Sequence, residues 1–531
     1  MVDFYQAFRK LKAKSASKPK GPGTGGTNAV NALPASLAAT LSQIETQLGG
    51  STDLVIRRFV IRTNRQPHAA AVVYIESLSD PRSLLESLLV ESSETQQFLQ
   101  PDDKTNPLKL IREYILKVGD IGGLSDMDTL YHAILSGDSV VLIDGHAEGI
   151  VASTRACRDR GVDEPSSQSV VRGPREGFTE TLRTNSALIR RKIKDSNLWM
   201  ETRQIGKVTM TDVAIMYIRG IANDKIVEEV RRRLDRIDID GILESGYIEE
   251  LIQDETYTPF PTMYNSERPD AIAGGLLEGR IAILVDGTPF VLLVPALFAH
   301  FLQTPEDYYQ RADIASLLRI LRYVCLFIAM YGPSAYIAIT TFHQEMIPTP
   351  LLISVVAQRE GIPFPAFIEA LLMEVTFEIL REAGVRMPRT VGQAVSIVGA
   401  LVIGQAAVDA GLVGPAMVIV VAITAISNFV IPSYNMGISI RMIRFVLMML
   451  AASFGLYGIL VGTIIMILHL CGLRSFGVPY MTPFAPYIAE DQKDSIFRVP
   501  QWAMLTRPRL ISQANRTRQK DDPPHKPPSR G

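Results

Sequence analysis

Two stretches of this chain carry almost no charge. Val391 to Pro432 holds a single formal charge, Asp409, and Phe445 to Leu470 holds no aspartate, glutamate, lysine or arginine. A hydrocarbon core about 30 Å thick takes about 20 apolar residues at about 1.5 Å rise each. The first stretch is long enough for two such helices, broken at Gly411-Leu412-Val413-Gly414-Pro415. This is the sequence of a membrane protein whose spans sit only in its back half.

The 47% hydrophobic content of the 531 residues averages a polar front half with an apolar back half. With 54 basic and 55 acidic residues the net charge is −1, which argues against nucleic acid as a partner. The start is a flexible basic arm: Lys10, Lys12, Lys14, Lys18 and Lys20 precede Gly21-Pro22-Gly23-Thr24-Gly25-Gly26. A secretory signal needs an apolar core after its basic residues, so the front half is expected in the cytoplasm. Cys157, Cys325 and Cys471 are few and widely spaced, which reads as buried filler without disulfide framework or metal site.

The soluble half repeats itself. Val72-Val73-Tyr74-Ile75 and Ser139 to Asp144-Gly145 recur as Ile215-Met216-Tyr217-Ile218 and Ile281 to Asp286-Gly287. In each copy a β-branched run is followed by an amphipathic helix, Ser83 to Leu89 or Lys225 to Leu234. A later strand in each ends at Asp-Gly, a tight-turn pair. The expected architecture is an α/β soluble N-terminal region of two tandem similar subdomains, followed by an all-α polytopic membrane domain. The divisions are residues 1–48 (arm and helical lead-in), 49–195, 196–310, 311–480 (about four to six helices) and 481–531 (cytoplasmic tail).

Spans are expected at Leu317 to Phe342, Val391 to Ala410, Leu412 to Ile431 and Met442 to Leu470, the last either tilted or bent at Gly455 to Gly458. Arg319 and Arg322 at the mouth of the first span can snorkel to the headgroups. Together with the basic tail they place both termini in the cytoplasm. With four simple crossings, Arg386 and Arg389 would fall on the wrong side, so the segment from Phe342 to Val391 is expected to return, and Leu351 to Ala357 to be re-entrant or interfacial. Phe364 to Arg386 reads as a helix bearing Glu369, Glu374, Glu378 and Glu382. Its acidic face either lines a water-filled path or is solvated, with Glu378 near Arg381 and Glu382 near Arg386. Asp409 is a loop acid or a buried one, and Gly458 to Gly462 matches the small-xxx-small pattern of close helix approach.

Enzyme motifs are missing. No phosphate-binding loop occurs, His343-Gln344-Glu345 lacks the second histidine of a zinc-protease helix, and Asp144 and Asp286 are explained by their turns. No cofactor is called for.

Specific words identify relatives: Glu244-Ser245-Gly246-Tyr247-Ile248-Glu249-Glu250-Leu251, Glu267-Arg268-Pro269-Asp270, Leu277-Glu278-Gly279-Arg280-Ile281, Glu306-Asp307-Tyr308-Tyr309 and Thr341-Phe342-His343-Gln344-Glu345-Met346-Ile347-Pro348. From about Asp53 to Met481 the chain resembles the A subunits of the GerA-type spore germinant receptors. The resemblance implies a multi-pass subunit of the spore inner membrane, working with a transporter-like B subunit and a lipoprotein C subunit. It also implies self-association, as a pentamer, into a nutrient-gated cation channel that starts germination by ion release. The candidate pore and gating residues are Glu345, Pro348, Glu369, Glu374 and Glu378. The candidate coupling residues are Asp307, Arg319 and Arg322, at the connector from Pro295 to Tyr309. An accessory spore-membrane channel, a non-conducting scaffold and a secondary transporter are the alternatives, although a transporter would show inverted repeats among its spans.

Overall fold

The computed structural model describes residues 32–63, 66–86, 121–155, 164–165, 168, 172–387, 404–513 and 515–519. The basic arm, Cys157, residues 87–89 of the expected Ser83 to Leu89 helix and residues 391–403 of the second expected span lie outside them.

The first unit opens with helix α1 (Leu37–Gln47) and strands β1 (Leu54–Thr63) and β2 (Gln66–Ile75). It continues through β3 (Ile121–Leu124), α2 (Met127–Leu135), β4 (Ser139–Ile143) and β5 (Gly149–Ala152). The second has α3 (Leu182–Lys192), β6 (Leu198–Ile205), β7 (Thr211–Ile218), α4 (Asp224–Asp235), α5 (Ser245–Ile252), β8 (Tyr264–Ser266), α6 (Pro269–Leu277), β9 (Ile281–Val285) and β10 (Val291–Val294). Both sheets are antiparallel, ordered β1-β2-β4-β5-β3 and β6-β7-β9-β10-β8, so the repeat in the sequence is a repeat of topology. The central strands β4 and β9 are buried at every position, which is why they read as unbroken apolar runs rather than alternating ones.

The Asp-Gly pairs do more than turn. Asp144 accepts a hydrogen bond from the Leu37 amide at 2.9 Å, and Asp286 accepts one from the Leu182 amide at 2.8 Å. Each aspartate thus satisfies an orphan donor at the start of its unit's first helix, where negative charge also suits the helix dipole. Helix α3 is therefore the counterpart of α1. Phe178 to Ile193, placed before the expected boundary at 195, pack into the core of the second unit.

The longer helices that follow among the described residues are α7 (Ala312–Thr341), α8 (Thr349–Arg359), α9 (Ala366–Arg386), α10 (Pro415–Phe429) and α11 (Tyr434–Gly472). Helices α7 and α11 are long and apolar enough to cross a membrane, and α10 is a shorter apolar helix. Pro333 sits inside α7 without ending it, and Gly332 beside it lets Thr424 of α10 approach to where a Cβ would be. Helix α11 is not straight. At Gly455 the backbone takes φ 62° and ψ −141°, a conformation open to glycine alone. A Cβ at Gly458 would lie 2.2 Å from the Leu450 carbonyl oxygen, and one at Gly462 would touch Leu447 and Leu450. Eight residues of straight helix span about 12 Å, so α11 is a hairpin of two antiparallel arms. Its two ends meet the soluble domain: Ser439 donates to the Pro259 carbonyl, and His469 lies 2.9 Å from the Thr258 hydroxyl. The bend expected near Gly455 to Gly458 is thus a full reversal, and the small-xxx-small pair packs its arms together.

Beyond α11 the chain folds back onto the second unit. Ser475 donates to the Thr262 carbonyl at 2.7 Å and accepts from the Ala296 amide at 3.0 Å. Ser512 reaches the Ile221 carbonyl, and Val478 and Ile511 complete that unit's core. A single hydrophobic cluster runs from Phe178 and Leu284 through Phe301 and Tyr480 to Leu326, Met330, Ile440 and Leu470. The sheet and the apolar helices thus share one core.

Candidate functional site

The connector between β10 and α7 carries the first charged cluster. Asp307 is 2% exposed and is the hub of the cluster. Its carboxylate accepts from Arg319 Nε at 2.8 Å and from both terminal nitrogens of Arg322, each at 2.8 Å. Burial alone would raise the Asp307 carboxyl, but the hydrogen bonds from Arg322 and the charges of Arg319 and Arg322 outweigh it and hold the group below its ordinary value. All three expected coupling residues therefore come together. Arg319 and Arg322 do not reach toward headgroups as snorkelling would require. They turn inward, because a guanidinium this deeply enclosed needs a carboxylate.

Two further pieces of the chain join this hub. Asp494 of the tail accepts from Arg319 at 2.7 Å and from the Tyr308 hydroxyl at 2.8 Å. Tyr309 donates to Asp270 on α6 at 2.8 Å, and Asp270 is itself held by Arg268. The second unit, the base of α7 and the tail thus meet in one network of charge-assisted hydrogen bonds. Nothing local marked Asp494 as a member, since it lies 175 residues from Arg319 in an acidic, basic and polar tail.

Helix α9 carries the second cluster. Glu374 is fully enclosed and lies 2.9 Å from Arg444, itself 1% exposed. Glu378 pairs with Arg441 and, at 3.4 Å, with Arg444. Arg381, the expected local partner of Glu378, instead lies over the rings of Phe429 and Tyr434, 5.7 Å from each. Glu382 does pair with Arg386 one turn away. Glu369 is enclosed at the other end of α9, accepting the Gly414 amide at 2.6 Å with Arg359 3.8 Å away. Glu345 and Pro348 are exposed in the turn after α7, apart from the other acids, and Asp409 is exposed and bonded to Gln405. The sequence did hold one clue to Arg444: it borders the uncharged run starting at Phe445, and a charge so placed needs a partner.

These contacts fix helix directions. Helix α7 starts at the soluble domain and ends beside Gly455. Helix α9 runs the opposite way, from Glu369 near Gly414 to Arg381 near Tyr434. Helix α10 also runs toward the soluble domain, and Ala407 and Val408 pack at the distal end with Ile337 and Met417.

The profile of the Bacillus/Clostridium GerA spore germination proteins matches residues 42–510. The chain is 52% identical over 501 residues to Spore germination protein KA of Bacillus subtilis (strain 168), covering 93% of this chain and 90% of that protein. It is 45% identical over 467 residues to the uncharacterized membrane protein YfkQ of the same organism, covering 88% and 89%. The crystal structure of the N-terminal domain of the A subunit of the Bacillus megaterium spore germinant receptor GerK3 aligns at 45% identity and a TM-score of 0.42, over 51% of this chain and 99% of that one. On this match, which spans its two α/β units, its helices and most of its tail, the chain belongs to the GerA spore germination protein family.

Proposed function

We propose that this chain is the A subunit of a nutrient germinant receptor in the spore inner membrane, acting with a transporter-like B subunit and a lipoprotein C subunit. Copies of it assemble, as a pentamer, into a cation channel whose opening starts germination. The observation that carries this reading is the network at Asp307, which ties the α/β unit, the tail and the first apolar helix into one body. A displacement of the soluble domain is then delivered to α7 without slack, as a gated channel requires.

Among the described residues, α7, α9, α10 and the two arms of α11 supply membrane passes whose directions fit an even total. An even count leaves the soluble domain and the tail on one side, and it brings Arg386 to that side as well, which satisfies the positive-inside bias. Glu374 and Glu378, each held by an arginine of α11, form the closed gate, with Glu369, Glu345 and Pro348 toward the distal mouth. Opening separates these pairs and presents carboxylates to the cation path.

The test is reconstitution of the three subunits in liposomes with a nutrient-triggered potassium flux assay. Asp307→Asn is expected to abolish the nutrient response with the complex intact, and Glu374→Gln or Glu378→Gln to change the ion selectivity or rate. An unchanged flux in all three variants overturns the gate and the coupling alike. A second reading, a non-conducting scaffold, is favoured by the enclosure of Glu369 and Glu374 within the single chain. Single-channel recording of the purified oligomer separates the two.

A further inference from the structure

Three guanidinium groups gather at the soluble-side ends of the apolar helices: Arg381 on α9 and Arg441 and Arg444 on α11. Glu374 and Glu378 face them, so the five side chains sum to +1. The surplus falls on Arg381, which has no ion pair among the described residues. Its plane is flanked by Phe429 and Tyr434, and its Nη1 is buried without a hydrogen-bond partner. The Nε atoms of Arg441 and Arg444 are also buried and unpartnered. A desolvated donor without an acceptor is unfavourable. The Glu374 oxygens, also without a hydrogen bond, face Arg444, so it is Arg381 Nη1, with no carboxylate at ion-pairing distance among the described residues, that calls for an acceptor from outside.

The surroundings indicate its chemistry. Phe429 is 65% and Tyr434 58% exposed, so the notch opens on the outer face of the bundle. Ile426 and Ile423, about one and two turns from Phe429 toward the distal end of α10, are 65% and 48% exposed and extend its face as an apolar strip. Aromatic rings beside a basic group, above an apolar strip, match the level of lipid headgroups. Basic pockets between helices on the cytoplasmic side receive anionic headgroups.

We propose that Arg381, supported by Arg441 and framed by Phe429 and Tyr434, binds the phosphate of an anionic phospholipid from the leaflet on the soluble-domain side, with an acyl chain along Ile426 and Ile423. This rests on the bundle lying in a bilayer with that orientation. Occupancy neutralises the surplus charge next to the Glu378 pairs and so bears on the stability of the closed arrangement.

The experiment is native mass spectrometry of the full-length chain, purified in detergent and mixed with phosphatidylglycerol or phosphatidylcholine. Retention of phosphatidylglycerol over phosphatidylcholine is expected, and Arg381→Gln should reduce that preference about 5-fold, the effect of one basic residue at a membrane surface. Arg381→Lys, which keeps the charge, should retain part of it and guards against a variant that merely misfolds. Equal retention of the two lipids by the natural chain overturns the proposal, as does an unchanged preference in Arg381→Gln. Displacement of the lipid by millimolar inorganic phosphate would also overturn it in favour of a free-anion site. Maleimide labelling of a cysteine at Tyr434 in sealed vesicles tests the orientation separately. Labelling from the soluble-domain side with no lipid preference sinks only the lipid site.

Discussion

Asp53 and Arg190 join the two α/β units through a contact that no local pattern announces. Arg190 on α3 is 1% exposed, and its terminal nitrogen donates to Asp53 at 2.8 Å and to Ser51 at 2.9 Å. Ser51 in turn accepts the Met200 amide, and Trp199 lies over Gly49, which holds φ +66° and has no room for a Cβ. Removing one partner of a buried pair leaves the other charge uncompensated, so Arg190→Met should destabilise the soluble region by about 3–5 kcal/mol. Urea unfolding of the purified chain in a Trp502→Phe background, followed through Trp199 fluorescence, reads this directly. An unchanged midpoint would mean that the pair contributes nothing. The acids of α9 were legible as residue types, but their partners Arg441 and Arg444 lie more than 60 positions away. Pairing rules along one helix therefore gave Glu382 its partner and Glu378 the wrong one.

The hairpin in α11 decides the topology at the scale of elements. Its length and apolarity alone fit one long tilted helix, and only the positive φ at Gly455 and the contact of Gly458 with Leu450 turn it back. A chain lacking Cys157 and Cys325 offers the test. Cys471 is exposed at the end of the second arm, and with a cysteine introduced at the exposed Tyr434 it should react with an impermeant maleimide from one face of sealed vesicles. A cysteine at Leu456 should react from the opposite face only. A straight helix would put Tyr434 and Cys471 on opposite sides. Strand and helix types in the soluble units are readable because the β-branched runs and the charged helices repeat, whereas the packing of α3 with the second unit is not, because the aspartate that holds its first turn lies 104 residues downstream.

For the whole molecule, the tail matters more than its composition suggested. Residues 474–513 cover the core of the second unit and carry Asp494 to the foot of α7. Truncation after Leu473 should expose Ile281, Ile283 and Leu292 where Val478 and Ile511 now pack. Each fully buried aliphatic side chain contributes about 1.5–3 kcal/mol, so the truncated chain is expected to be degraded or to aggregate on expression. Asp494→Asn is the milder change and should leave the fold intact while weakening the hold on Arg319. Immunoblotting spores for protein level, alongside the nutrient dose that half-activates release, distinguishes the two effects. A normal level and a normal dose for Asp494→Asn would remove the tail from the coupling path.

The sequence by itself determined that the back half carries uncharged runs long enough to cross a bilayer, that its front half is a duplicated α/β unit and that its relatives are spore germination proteins. Uncharged runs, self-similarity and family words are all properties of the chain read in order. The tertiary structure alone decided which arginine meets which carboxylate, that α11 doubles back and that the tail is structural. Those outcomes depend on groups far apart in sequence meeting inside one core, where low dielectric and steric exclusion select partners that spacing along the chain does not encode.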